Sequence, residues 1–139
     1  MKILFLEDRF SVFDSLKEKL TSDGNTIFKA TQVSDAISIL QEEVLDLFII
    51  DLRVSPIGLK PEEIMKLPNG RISGWVFLEN YVFLKDNENK SKTVIYSEYI
   101  SELEKVIKLS NYPEIRFFSK RDYSIENIRN YVQLIKNKK

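Results

Sequence analysis

With 139 residues, 43% of them hydrophobic and 12% aromatic, the chain has the length of one domain around a single sizeable core. Its 21 basic and 21 acidic residues cancel, which argues against nucleic acid as the main ligand, because phosphate backbones demand a basic surface. There is no cysteine and no histidine. That excludes disulfides, thiolate nucleophiles, zinc–thiolate sites, Ser-His and Cys-His catalysis and imidazole metal sites, so any metal must be held by oxygen, which points to magnesium, calcium or manganese.

The first element is the apolar run Ile3–Leu6, a strand that delivers Glu7 and Asp8 to its carboxyl end. Phe13, Leu16 and Leu20 then recur at helical spacing, and Asp23-Gly24-Asn25 supplies a turn into a second strand, Thr26–Ala30. Val33, Ala36, Ile37 and Leu40 form the next helical stripe, followed by the strand Leu47–Ile50, which ends in Asp51. Trp75, Leu78 and Val82 mark a third helix, and Thr93–Tyr96 a fourth strand ending in Ser97. Leu103, Val106 and Ile107 mark a fourth helix, with Ser101 and Glu104 spaced as a capping box at its start. A fifth strand, Ile115–Phe118, leads to Lys120, and Ile125, Ile128, Val132 and Ile135 stripe the last helix. The basic stretch from 120 to 139 reads as a solvated helix end, with lysines suited to the helix dipole.

Between Leu52 and Ser73 the rhythm breaks. Pro56, Pro61, Pro68, Gly58 and Gly70 fall in a connection far longer than the ~2–6 residues usual in compact α/β domains. Pro61 to Leu67 suits a short helix, with proline at its first position and Pro68-Asn69-Gly70 to end it. The stretch reads as a surface insertion between strand three and helix three rather than a lid, because it carries no convergent polar cluster. The chain thus reads as a single domain, 1–139, with an insertion at 52–73.

Strands that alternate with helices imply an α/β fold, a doubly wound parallel sheet with helices on both faces. Strands one, three and four are the most continuously apolar and belong in the centre. The second, with Thr26 and Lys29, and the fifth, with Arg116, suit the edges. The order is therefore 2-1-3-4-5, of the flavodoxin-like type, with five helices and the switch point between strands one and three. Ligands of such sheets bind outside the carboxyl ends of the strands. There the chain gathers Glu7, Asp8, Asp51, Ser97 and Lys120. Three acids in one crevice repel unless a cation joins them, and a phosphoryl group has a place among the cation, the hydroxyl and the ammonium. A carboxylate so placed can act as nucleophile and become an aspartyl phosphate.

In these residues the chain resembles a response-regulator receiver domain, the phosphoacceptor module of two-component signalling. The resemblance rests on Leu6-Glu7-Asp8, Ile49-Ile50-Asp51-Leu52, Ser97 and Phe118-Ser119-Lys120, in that order and at strand ends. It implies that Asp51 takes the phosphoryl group in a Mg2+-dependent reaction, and that Ser97 and Lys120 contact its oxygens. It also implies that Glu7, Asp8, Asp51 and the backbone carbonyl of Arg53 ligate the metal, and that Phe117 is an aromatic switch residue whose rotamer follows Ser97. Such a domain is no conventional enzyme, but catalyses its own phosphorylation and dephosphorylation. The implied donor is a sensor histidine kinase or phosphotransfer protein, since the chain has no histidine of its own. The implied output surface is the face of helix four, strand five and helix five, also a candidate homodimer surface.

Four departures stand out. Arg121 follows Lys120 where receivers usually carry proline, and Glu98 follows Ser97 where the family residue is usually small. Gly74, which opens helix three, stands 23 positions after Asp51, much farther than usual. Arg53 and Tyr99 occupy positions that tune dephosphorylation, and their bulk suggests shielding of the acyl phosphate and a long-lived signal. No leader and no apolar run of ~18–20 residues is seen, so the expectation is a cytoplasmic protein without signal peptide or membrane span. The chain ends near the end of the last helix, so the expectation is a stand-alone receiver without effector domain. The alternative is a pseudo-receiver, an interaction module that is not phosphorylated; Glu98 and the missing proline favour it. A Toprim-like nuclease would want a second acid where Asp51-Leu52-Arg53 has arginine. A haloacid-dehalogenase-like phosphatase would want two aspartates flanking one residue, which Glu7-Asp8-Arg9 lacks.

Overall fold

The computed structural model describes residues 1–65 and 72–138. Five parallel strands, β1 (Lys2–Leu6), β2 (Thr26–Ala30), β3 (Leu47–Ile50), β4 (Thr93–Ser97) and β5 (Arg116–Ser119), form one sheet in the order β2-β1-β3-β4-β5. This is the expected order, with the less apolar β2 and β5 at the edges. The three inner strands are buried almost throughout, whereas β5 begins on exposed Arg116. Side chains alternate between the two faces of the sheet. Ile3, Phe5, Leu47, Ile49, Val94 and Tyr96 pack on one side with Phe13, Leu16, Leu20, Ile128 and Val132. Leu4, Leu6, Phe48, Ile50 and Ile95 pack on the other with Val33, Ala36, Leu40, Trp75, Leu78 and Leu103.

The described residues hold seven α-helical segments rather than five helices. They are α1 (Phe10–Ser22), α2 (Val33–Glu42), α3 (Pro61–Ile64), α4 (Ser73–Phe77), α5 (Phe83–Lys85), α6 (Ile100–Glu104) and α7 (Ile125–Asn137). Two causes raise the number. The expected third helix runs as α4 and α5 joined by a π turn, Leu78–Val82, and the long connection adds α3. The expected fourth helix is short. It closes at Glu104, leaving Val106 half exposed instead of on a buried stripe. The Ser101–Glu104 capping box does not form. Tyr99 caps α6, its carbonyl accepting from Glu102 and Leu103, and Ser101, already inside the helix, turns its hydroxyl to the Glu102 carboxylate. A capping box does open α7, where Ser124 and Asn127 exchange bonds. The basic end of the chain is not simply solvated: Arg129 grips Asp23 at 2.7 and 2.8 Å and Lys136 donates to the Asp23 carbonyl, tying α7 to the end of α1.

The long connection begins by serving α2. Gln32 gives that helix no side-chain cap, so its first N–H groups need outside acceptors. The carbonyls of Ser55 and Ile57 accept from Val33 (3.2 Å) and Ser34 (2.7 Å). Gly58 makes this docking feasible: its φ is +110°, and a Cβ there would lie 2.6 Å from the Ser34 nitrogen. Glu63 of α3 then accepts from Asn80 (2.6 Å) and Tyr81 (2.9 Å), both on the π turn. The residues from 66 to 71, including Pro68-Asn69-Gly70 as the proposed end of this helix, lie outside the described residues.

Candidate functional site

Parallel register brings the strand ends together. Leu6 pairs with Ile50, Ile50 with Ile95 and Ile95 with Phe117, so the next residues, Glu7, Asp51, Tyr96 and Phe118, fall in one row. Backbone bonds extend the sheet past its last pairs: Asp51 donates to the Leu6 carbonyl (2.9 Å) and Lys120 to the Ser97 carbonyl (3.1 Å). The side chains of Glu7, Asp51, Ser97 and Lys120 are thereby delivered to one place.

Asp51 is 5% exposed, and both its oxygens are engaged. Oδ1 accepts from Ser97 Oγ at 2.6 Å and Oδ2 from Lys120 Nζ at 3.0 Å. Lys120 also donates to Glu7, so the ammonium sits between two carboxylates rather than apart from them. It reaches them with Arg121, not proline, following. Ser97 is fully buried and its Oγ also accepts from the Tyr99 N–H (3.1 Å), which orients the hydroxyl. Glu7 is the deeper acid, 1% exposed, its second oxygen accepting the Arg9 N–H at 3.1 Å; Asp8 is the exposed one. Carboxylate oxygens of Glu7, Asp8 and Asp51 lie within 4.8 Å of one another, a hard, all-oxygen donor set that suits a divalent cation of the magnesium or calcium class.

Electrostatics follow the crowding. Burial and the neighbouring Asp51 charge push Glu7 up to about 7, against the opposing pull of Lys120. Burial alone lowers Lys120, but Asp51 and Glu7 outweigh it and hold the ammonium above the usual lysine value. Gly74 closes the floor. Its N–H donates to the Leu52 carbonyl (2.9 Å), and a Cβ on it would stand 2.1 Å from the Asp51 carbonyl oxygen, so only glycine lets α4 approach this strand end.

Above Asp51 opens a cavity of about 280 Å³ lined by Asp8, Arg9, Asp51, Arg53, Glu98, Tyr99 and Lys120. Of the described residues of the long connection, only Arg53 lines it. Two ties cross the walls. Arg9 holds Glu98 with both terminal nitrogens, at 2.8 and 3.1 Å, and keeps that carboxyl below its ordinary value. Arg53 Nη1 donates to Tyr99 Oη at 2.6 Å. Glu98 thus points to an arginine rather than standing as an unpaired charge. Arg9 is the residue that sequence reasoning missed; its place directly after Glu7-Asp8 put it at the same strand end, opposite in sign to Glu98. Phe117 is half buried and packs with the α2, α4 and α6 side of the core, one residue from Phe118, which faces the other side.

No protein-family model matches the chain, and no curated protein matches it. Solved structures do. The receiver domain of the Francisella response regulator 1452 superposes with a TM-score of 0.69 at 19% identity, over 99% of this chain and 98% of that one. The non-phosphorylated HemR receiver domain from Leptospira biflexa gives a TM-score of 0.70 at 18% identity, over 96% and 92%. This chain has the receiver fold. A CheY-like response regulator receiver domain protein from Methanospirillum hungatei JF-1 is also similar, with a TM-score of 0.67 at 20% identity over 99% and 91%. In the receiver fold as this chain builds it, the acids, the hydroxyl and the ammonium all stand at the carboxyl ends of the parallel strands. Among the described residues no helix is long and apolar enough to cross a membrane.

Proposed function

We propose that the chain is a phosphoacceptor receiver, in which Asp51 takes a phosphoryl group and the resulting conformational change is passed to a protein partner. The observation that carries this reading is the Asp51 carboxylate held between Ser97 and Lys120, with two further acids beside it. The hydroxyl and the ammonium already sit on the carboxylate oxygens, so they are placed to follow a phosphoryl group formed there and to bind its oxygens without large reorganisation. Glu7, Asp8 and Asp51 would hold Mg2+, with the Arg53 carbonyl as a further ligand, and the ion would supply positive charge against the phosphoryl oxygens. Ser97, drawn toward the new phosphoryl group, would vacate its place beside the Tyr99 N–H, and half-buried Phe117 would change rotamer with it. A histidine kinase or phosphotransfer protein would be the donor, and the α6, β5 and α7 face the output or homodimer surface.

Incubation with Mg2+ and acetyl phosphate, followed by intact-mass measurement, tests the reading. The expected result is a single labile phosphoryl adduct that Asp51→Asn abolishes. A second reading, a pseudo-receiver that binds partners without phosphorylation, is favoured by the Arg9–Glu98 tie across the cavity. It predicts no adduct with any donor, a cognate kinase included.

A further inference from the structure

The tie between Arg9 and Glu98 has a geometry that suits recognition of the donor. Arg9 Nη1 and Nη2 donate to Glu98 Oε1 and Oε2 at 2.8 and 3.1 Å, a parallel two-bond fork. The Arg9 main chain is anchored from below by its N–H on Glu7, while its side chain spans from the end of β1 to the loop after β4, past the end of β3 that carries Asp51. Both side chains line the cavity above Asp51, and they are 51% and 33% exposed. An ion pair so exposed contributes little to folding and is easily exchanged. Of the other cations that line the cavity, Lys120 is committed to Glu7 and Asp51, and Arg53 donates to the Tyr99 hydroxyl.

We propose that Arg9 is a phosphodonor-binding residue and that Glu98 is its competing partner. This rests on the phosphoacceptor reading above. The guanidinium fork that grips two carboxylate oxygens matches two oxygens of a phosphoryl group equally well. A phosphoryl group brings roughly −1.5 to −2 charges against the single charge of Glu98, so Arg9 exchanges Glu98 for the incoming donor. Until that exchange, Glu98 neutralises the arginine and places a negative charge at the mouth. With acetyl phosphate, an Asp51 oxygen forms the new bond to phosphorus while the bond from phosphorus to the acetyl oxygen breaks. Acetate leaves with the electron pair, and no proton is consumed.

The test is the rate of adduct formation from acetyl phosphate and Mg2+, followed by intact mass, in the wild-type chain and in Arg9→Gln, Glu98→Gln and the double variant. At low donor concentration Arg9→Gln is expected to slow the reaction roughly tenfold, less than the ~10²–10³ of a fully preorganised donor because Arg9 is half exposed. Glu98→Gln is expected to speed it several-fold, and to have no effect once Arg9 is Gln. Arg9→Lys, a point charge without the fork, is expected to fall between. Equal rates in all five proteins, or the same acceleration by Glu98→Gln with and without Arg9, overturn the exchange while the adduct itself upholds the phosphoacceptor reading. No adduct on the wild-type chain overturns both.

Discussion

Lys120 Nζ stands 3.0 Å from Asp51 Oδ2 while also donating to Glu7, so one ammonium compensates two buried carboxylates. Its side chain is 6% exposed, and those of Glu7 and Asp51 are 1% and 6% exposed. Replacing it with methionine keeps the bulk and strands both acids. Removing one partner of a buried charge group typically costs ~3–5 kcal/mol. Lys120→Met should therefore destabilise the metal-free protein by about 3 kcal/mol at pH 8 in urea unfolding. The loss should be smaller at pH 6, where Glu7 is protonated and Asp51 alone lacks its partner.

Glu7 gives the metal-free protein a pH dependence of definite sign. Its carboxyl is raised from 4.5 to about 7 in the fold, chiefly by burial and then by Asp51. The folded state thus holds a proton that the unfolded state has lost, and the associated stability is present in full below about 4.5 and disappears as the pH rises through about 7. The unfolding free energy from urea titrations should fall across that window by an amount on the order of 3 kcal/mol. Glu7→Gln, fixed in the neutral form, should flatten the profile. On the reading that Glu7 helps to hold Mg2+, the ion competes with the same proton, and Mg2+ affinity in the wild-type chain should rise about tenfold between pH 6 and pH 8, readable by calorimetry.

Gly74 should tolerate no side chain. A Cβ would lie 2.1 Å from the Asp51 carbonyl oxygen and 3.1 Å from the Ile50 side chain, and the former is backbone that cannot swing aside. Gly74→Ala must push α4 from the sheet or shift the end of β3. Overpacking of this kind costs roughly 1–3 kcal/mol. Thermal unfolding should show the loss. On the phosphoacceptor reading, the Asp51 adduct should form more slowly as well, because the same displacement moves the carboxylate away from Ser97 and Lys120. Gly24→Ala is the control for helical and turn glycines at large: it lies far along the chain at the Asp23-Gly24-Asn25 turn, where a Cβ meets only the flexible end of Lys136 and the strain is the positive φ of 91°. It should lower stability without altering the rate of adduct formation.

What the sequence makes legible is what burial makes periodic. The runs Ile3–Leu6, Leu47–Ile50 and Thr93–Tyr96 are apolar because both faces of an inner parallel strand are covered, and their polarity relative to β2 and β5 is enough to order the sheet. Once the order is known, register alone assembles Glu7, Asp51, Ser97 and Lys120. The misreadings lie where local spacing competes with geometry that spacing does not encode. Leu103, Val106 and Ile107 have helical period, yet α6 ends at Glu104 and only Leu103 is fully buried. The π turn at Leu78–Val82 preserves the buried stripe while bringing Asn80 and Tyr81 to Glu63, a partner in a segment that is distant along the chain. The Arg9–Glu98 tie joins loops 89 positions apart, and neither residue has an apolar pattern to announce it.

The tie between Arg53 and Tyr99 bears on how long a phosphoryl group on Asp51 would last. Arg53 donates to the Tyr99 hydroxyl at 2.6 Å, and its guanidinium carbon lies 5.3 Å from the ring centre, so hydrogen bond and cation–π contact hold the two side chains together along the cavity wall. On the phosphoacceptor reading, hydrolysis of the adduct needs water to approach phosphorus through that cavity. Tyr99→Ala removes most of the cover and should shorten the adduct lifetime roughly tenfold, measured by intact mass after the donor is removed. Arg53→Ala should act in the same direction, because the ring then loses the contact that holds it against the wall. Tyr99→Phe separates cover from hydrogen bonding: the ring and its cation–π contact stay while the 2.6 Å bond is lost. A lifetime close to wild type for Tyr99→Phe, beside a short one for Tyr99→Ala, identifies exclusion of water as the cause; equal shortening in both would assign the effect to the hydroxyl instead.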